Sequence, residues 1–321
     1  MADADHAALS RRIRGAASDR VRRVVEAAAA SSLDVIQAEQ REARARAELV
    51  QDEVASLRNE VEALRSELEA RVGEVRDIVA ADFDHIPRLR RRLVEERASE
   101  AYARTFADSE PLVSIRIATW NRGPLLFERA VSSVLAQTYQ HIELVIVGDG
   151  CDDDTAERTQ RLGDPRVTFV NLPYRGVYPR DPRRRWMVAG ARAMNLGAEL
   201  VRGSWIAPLD DDDEFTADHV EVLLRSALAG SFEMIYGVLQ AVPKAPAEPY
   251  LVGSYPPELG QFGFQAALYI SQFRFFEYET NSWVLDEPAD WNLCRRMLQA
   301  GVRIGYVDRP VATIYPSGPD L

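Results

Sequence analysis

The sequence predicts an α/β protein in two parts: an α-helical coiled-coil arm with a linker over residues 1–110, and a mostly parallel, helix-covered sheet over residues 111–321. Three observations lead there. Before residue 110 the chain is dominated by Ala, Glu and Arg, with proline only at Pro87 and glycine only at Gly15 and Gly73. Between Ala47 and Ile78 apolar residues recur at steps of three and four. From Pro111 onward short β-branched runs alternate with helical spacing, and aromatic, Gly and Pro content rises.

The arm comes first. Leu9, Ile13, Val21 and Val24 alternate with Arg11, Arg12, Arg14, Arg20, Arg22 and Arg23. A basic amphipathic helix of this kind can lie on an anionic membrane surface, and the plainer reading is a solvated helix face. Then Ala47, Val50, Val54, Leu57, Val61, Leu64, Leu68, Val75 and Ile78 form a heptad seam that Arg71 interrupts, with Asn59 outside it. A helix over 43–79 would be about 55 Å long at 1.5 Å per residue. It reads as an arm for homo-oligomerisation or partner docking, the alternative being an exposed helix folded back on the second part. Residues 82–110, with the run Arg88–Arg92, read as a linker with residual helix.

The second part follows in order. Val113–Ala118 is a strand, Leu125–Ala136 a helix, Ile142–Val147 a strand, Asp153–Leu162 a helix and Val167–Asn171 a strand. Met187–Arg202 is a helix, Ser204–Pro208 a short strand and Thr216–Leu228 a helix. Parallel sheets of this kind bind ligands beyond the carboxyl ends of their strands.

Charge and composition narrow the functional classes. With 39 Lys and Arg against 50 Asp and Glu, the net charge is -11, which argues against nucleic acid as a partner. The two cysteines, Cys151 and Cys294, have no metal-ligand spacing and fit a reducing compartment. The N-terminus lacks a signal-peptide core, and the sequence has no run of about 18 apolar residues. The expected location is therefore cytoplasmic, with at most peripheral contact at the inner membrane face.

Chemistry concentrates at three strand ends. Asp210-Asp211-Asp212-Asp213 follow the apolar run Trp205–Leu209; adjacent carboxylates repel, and a hard divalent cation such as Mn²⁺ or Mg²⁺ relieves that. The alternative is a solvated acidic turn at the start of a helix. Thr119-Trp120-Asn121-Arg122 end the first strand and could stack and hydrogen-bond a nucleoside, or Asn121 could cap the next helix. Gly148-Asp149-Gly150 end the second strand in a tight turn that exposes one carboxylate to a pyrimidine N–H. Asp152–Asp154 read as helix N-terminal charges. Tyr174–Trp186 is a basic, aromatic loop suited to a diphosphate or a charged acceptor, or only to balancing the acidic turn. The aromatics of Phe262–Tyr278 read as core, with a sugar platform as the alternative.

Together these motifs resemble the inverting family 2 glycosyltransferases of GT-A fold, a Rossmann-like α/β architecture. Thr119-Trp120-Asn121-Arg122 stands where the family has Thr-Tyr-Asn-Arg. Gly148-Asp149-Gly150-Cys151 stands for Asp-Asp-Gly-Ser, and Leu209-Asp210-Asp211-Asp212-Asp213 for Leu-Asp-x-Asp-Asp. Asp290-Trp291-Asn292-Leu293, followed by Arg296 and Gly301, stands for the later acidic Asp-Trp-Leu segment. The resemblance covers about Pro111 to Tyr315. It implies transfer of a sugar from a nucleotide-diphosphate sugar, with a UDP-sugar as the expected donor, to a carbohydrate, lipid-linked or small-molecule acceptor, with inversion. By it, Asp290 is the catalytic base and Asp212 the metal ligand for Mn²⁺ or Mg²⁺. Thr119, Trp120, Asn121, Arg122, Asp149, Asn195, Asp210 and Asp211 contact the nucleotide sugar, Trp120 by stacking and Asp149 on the base. The chain departs from the pattern at Gly148, at Met194 in place of the usual Arg, at Ala289, and in having no C-terminal His near Tyr315. Asp286 and Glu287 stay open as alternative bases. A non-catalytic coiled-coil scaffold with a degenerate sugar-nucleotide domain is the competing reading, and intact Asp212 and Asp290 speak against it. A nucleotidyltransferase would need a Gly-rich basic loop after the first strand, where Gly123 stands alone.

Overall fold

The computed structural model describes the backbone of residues 2–315, and side chains over that range except at 2–19, 27–31, 33–36, 38 and 80–84. The Arg11–Arg14 part of the basic stretch therefore lies outside the described side chains. Contacts between Cα atoms divide the chain into two compact units, residues 1–73 and 74–321.

The first unit consists of helix α1 (Ala2–Arg97) up to residue 73. No Gly or Pro interrupts residues 16–72, which explains an uninterrupted helix there. Every described side chain from Glu39 to Val72 is exposed. No helix among the described residues is long and apolar enough to cross a membrane.

In the second unit the segment read as a linker is instead helical and packed. The last turns of α1 bury Leu89 and Leu93, and α2 (Glu100–Ala107), capped by Ser99, buries Thr105 and places Phe106 edge-on to Trp205. The contact boundary consequently falls at residues 73/74 and not at 110. Glu233, wholly buried, anchors the junction. Both its oxygens accept from Arg97 at 2.7 Å, and Tyr102 Oη–H and the Arg303 N–H donate at 2.6 and 2.8 Å.

The sheet strands are β1 (Val113–Thr119), β2 (Ile142–Gly148), β3 (Val167–Asn171), β4 (Trp205–Asp210), β5 (Glu214–Phe215), β6 (Met234–Ala241), β7 (Tyr250–Val252), β8 (Ala267–Ile270) and β9 (Ile304–Ile314). Among the described residues they form one sheet in the order β3-β2-β1-β4-β8-β6-β9-β5, with β7 on β6. The strands β3-β2-β1-β4 are parallel, as their βα spacing implies; β8 runs antiparallel to both β4 and β6, and β9 parallel to β6. The β1 and β2 residues are almost all buried, as strands covered on both faces must be.

Helices α3 (Gly123–Leu126) and α4 (Ser132–Leu135) are joined by a π turn, Phe127–Val131, across the stretch read as one helix. Next comes α5 (Thr155–Leu162). The helix expected over 187–202 is two, α6 (Pro182–Val188) and α7 (Ala191–Leu200), because Gly190 adopts φ +78° between them. Helix α8 (His219–Gly230) covers β6, β8 and β9, and α9 (Ala289–Ala300) carries Asp290 in its first turn. Phe262, Phe264, Tyr269, Phe273, Phe276 and Tyr278 are buried, so that aromatic stretch is core.

Candidate active site

Strand register alone brings the main motifs together. Thr119 pairs with Gly148, and Ala118 with Asp210, so the turns after β1, β2 and β4 emerge side by side at the carboxyl edge.

After β4 the four aspartates are parcelled out among different partners. Asp210, at the strand end, accepts from Gln265 Nε2. Asp211 is buried; its Oδ2 accepts from Thr119 Oγ1 at 2.7 Å and its Oδ1 from Arg122 Nη1 at 3.1 Å. Asp212 accepts from the same Arg122 nitrogen at 2.8 Å, and its carbonyl from Arg129 Nη1 at 2.9 Å. Asp213 is buried and accepts from the Tyr315 N–H at 3.0 Å. Burial first, and then the charges of Asp212, Asp211 and Asp290, push the Asp210 carboxyl up to about 7. Burial likewise raises Asp213 well above the usual carboxylate range, and raises Asp211 against the opposing charge of Arg122.

The Arg122 guanidinium lies between the carboxylates of Asp211 and Asp212 and pairs with both. Among the described residues no group of three or more His, Cys, Asp or Glu side chains could hold an ion by itself. Beside Asp212 lies a cavity of about 590 Å³ lined by Arg122, Arg129, Lys244, Val242, Pro243 and Tyr315, a cationic wall suited to phosphate.

The turn after β2 is covered by the loop that follows β3. Asp149 is buried; its Oδ1 accepts from the Gly176 N–H at 2.9 Å and its Oδ2 from Tyr178 Oη–H at 2.5 Å. Gly150, at φ +72°, permits that cover, because a Cβ there would meet the Arg175 nitrogen at 2.3 Å. Arg175 lies over the Trp120 ring, 3.2 Å from its centroid, and Trp120 is 40% exposed. Sequence reasoning singled out the 174–186 loop for its charge but did not connect it to Asp149; the spacing Tyr174-x-Gly176-x-Tyr178 just after β3 was the available signal.

Asp290 stands in the first turn of α9, and its charge adds to the burial that raises Asp210 and the Tyr278 hydroxyl. As a residue it is partly exposed, but its carboxyl is enclosed, and burial raises it. The other two candidate bases are engaged elsewhere: Glu287 with Arg295 and Asn292 at 2.8 Å each, and exposed Asp286 with Arg183 at 3.2 Å.

Several expected ligand contacts have structural duties. Asn195 accepts from the Tyr278 N–H at 2.7 Å and donates to its carbonyl at 3.0 Å, which pins the backbone there to α7. Asn121, at φ +51°, does not cap α3; its side chain accepts from the Asp152 N–H at 2.9 Å, and Asp153 accepts the Gly123 N–H at 3.0 Å. Beneath the site the buried Arg116 donates to Tyr278 Oη at 2.5 Å and stacks on its ring, an arrangement the linear motif did not reveal.

Residues 114–290 match the model of glycosyl transferase family 2. WcaA of Escherichia coli K12, named for colanic acid biosynthesis, is 35% identical over 120 residues, which is 36% of this chain and 38% of that protein. Chondroitin synthase of Pasteurella multocida is 33% identical over 37% of this chain and 11% of its own length. The succinoglycan biosynthesis protein ExoO of Rhizobium meliloti is 32% identical over 42% of this chain and 35% of its own length. The chain thus spans well under half the length of these relatives. Among solved structures, Staphylococcus aureus TarS 1–349 in complex with UDP superposes with a TM-score of 0.50 at 12% identity, over 64% of this chain and 60% of that one, a likeness of fold. With its motifs converging on one sheet edge and more than half its length matching the family model, the chain belongs to glycosyl transferase family 2.

Proposed function

We propose that this chain is a metal-dependent, inverting glycosyltransferase that moves a sugar from a UDP-sugar to an acceptor hydroxyl. The observation that carries the reading is the strand register that sets Thr119 beside Gly148 and Ala118 beside Asp210, so that three motifs of the family-matched segment leave one carboxyl edge together. In this reading the uridine stacks on Trp120 in place of Arg175, and the ring N–H bonds to Asp149, whose oxygens keep a free lone pair beside their bonds to Gly176 and Tyr178. Asp210 holds the ribose or the sugar side. Arg122, released from Asp211 and Asp212, turns with Arg129 and Lys244 toward the diphosphate. A divalent ion held at Asp212 would neutralise the carboxylates and the charge that develops on the leaving diphosphate. The Asp290 carboxylate takes the proton of the acceptor hydroxyl as its oxygen bonds to the anomeric carbon. The bond to the diphosphate breaks on the opposite face, so the centre inverts.

The names of the relatives, which concern colanic acid, chondroitin and succinoglycan, support a part in polysaccharide synthesis, with a carbohydrate as acceptor. Packing of residues 86–107 into the sheet unit supports a catalytic domain that starts near residue 74, with the helical arm before it. Release of UDP from a panel of nucleotide sugars, with and without Mn²⁺, tests the reading. Wild type should release UDP only with the metal, and Asp212→Asn should lose that dependence together with the activity. A folded protein that binds no nucleotide sugar at millimolar concentration would sink it.

A further inference from the structure

We infer that the N-terminal arm pairs with the same segment of a second copy of this chain as a parallel, in-register, two-stranded coiled coil. The inference stands apart from the catalytic reading. Its first support is the composition of the seam. With Ala47 at position a of the heptad, Val54 and Val61 also fall at a, Val50, Leu57 and Leu64 at d, and Leu68 at a. β-branched residues at a with Leu at d favour two parallel strands over three or four.

The second support is that, among the described residues, this stripe lies exposed. Val54 is 42% exposed, Leu57 53% and Leu64 65%, all on one side of a helix with no other element of its unit beside it. Helices in water draw most of their stability from packing such a face, so a lone amphipathic helix of this length wants a partner.

Charge complementarity identifies the partner and its direction. Position g carries Glu39, Glu53, Glu60 and Glu67, and position e carries Arg44, Arg58 and Arg65. In a parallel pair each g residue faces the e residue five positions later on the other strand. That matches Glu39 with Arg44, Glu53 with Arg58 and Glu60 with Arg65, in both directions across the dyad. The remaining pairs, Arg46 with Gln51 and Glu67 with Val72, are neutral, so no like charges meet. An antiparallel pair would set g against g and e against e, Glu against Glu and Arg against Arg. Arg65 bonds Glu69 within its own helix at 3.1 Å, but both side chains are 69% exposed, and such a pair exchanges at little cost.

Light scattering on the full chain should give the mass of two copies. Leu57→Lys with Leu64→Lys should reduce it to one while the near-UV circular dichroism and cooperative melt of the sheet unit stay as in wild type, which separates loss of pairing from loss of folding. Glu53→Arg with Glu60→Arg, and separately Arg58→Glu with Arg65→Glu, should each weaken self-association at least tenfold. Mixing the two charge variants should restore a heterodimer. Val50→Cys should cross-link to itself under oxidation, where wild type, with only Cys151 and Cys294, does not. A monomeric wild type, a mass of three or more copies, charge variants that pair as well as wild type, or failure of Val50→Cys to cross-link would each overturn the inference.

Discussion

Asp290 and Glu287 are three residues apart, yet their surroundings give them opposite tasks. Glu287 is bound on both oxygens by Arg295 and by Asn292, which ties the segment before α9 to its first two turns. Asp290 accepts from the Trp291 N–H at 2.7 Å and, among the described residues, has no bond from a cationic side chain to hold it, and burial raises its carboxyl. Asp290→Asn should therefore lower kcat by about a thousandfold, the usual scale for a positioned base, with donor affinity nearly unchanged. Glu287→Gln should leave kcat within a few-fold and show its effect in thermal stability. Initial rates and a titration with UDP on both variants check this, and a larger kcat loss in Glu287→Gln would reverse the assignment. Carboxylates were the legible part of the site, because consecutive Asp residues after a buried strand have few structural reasons to exist. The partners of Asn195 and Asn121 were not legible, because an amide serves a backbone as well as it serves a ligand, and only the fold shows that Tyr278 and Asp152 lie within reach. The bonds from Gly176 and Tyr178 to Asp149 were not legible, because they join residues 27 and 29 positions apart and depend on Gly150.

Between elements, the weight rests on Glu233. Burial pushes its carboxyl up, but the bonds from Arg97, the Arg303 N–H and Tyr102 more than offset this and hold it below its ordinary value of 4.5. A carboxylate with a depressed folded-state value adds stability that is complete above the unfolded value. That stability is lost as the pH falls through the lower folded value. The contribution is accordingly present at neutral pH and disappears in the acid range below 4.5. Arg97→Ala leaves Glu233 buried with fewer partners and should cost about 3 kcal/mol at pH 7. The difference from wild type should shrink as the pH falls below that range. Urea melts of both proteins at pH 7 and at acid pH measure it; an equal gap at both would mean the pair acts through packing alone. The same elements show the limit of reading by composition. Residues 82–110 share the Arg- and Glu-rich texture of the arm, so they passed for a linker, while Ile86, Leu89, Leu93, Tyr102 and Phe106 already traced a helical apolar face. The alternating strands of the β3-β2-β1-β4 half were legible by contrast, because doubly covered strands must be apolar throughout. The mixed half, β8-β6-β9-β5, lacks βα regularity and left no such trace.

At the scale of the molecule, two truncations distinguish the division by contacts from the division by composition. A chain of residues 74–321 keeps the last turns of α1, and with them Leu89, Leu93 and the Arg97 pair with Glu233. A chain of residues 111–321 loses these, together with Tyr102 and the Phe106 contact to Trp205. Burying a leucine side chain contributes about 1.5–3 kcal/mol, and an uncompensated buried charge costs about 3–5 kcal/mol. Together these losses rival the whole stability of an ordinary domain, about 5–15 kcal/mol. The longer truncate should fold, melt cooperatively and release UDP at a rate per chain close to that of the full protein. The shorter should be insoluble or melt without a cooperative transition, although it retains Asp149, Asp212 and Asp290. Circular dichroism melts and UDP release on the two pieces decide the matter. If 111–321 alone were stable and active, the 86–107 segment would be an accessory clasp. If 74–321 failed to fold, the arm itself would be part of the folding unit, because nothing else distinguishes that piece from the full chain.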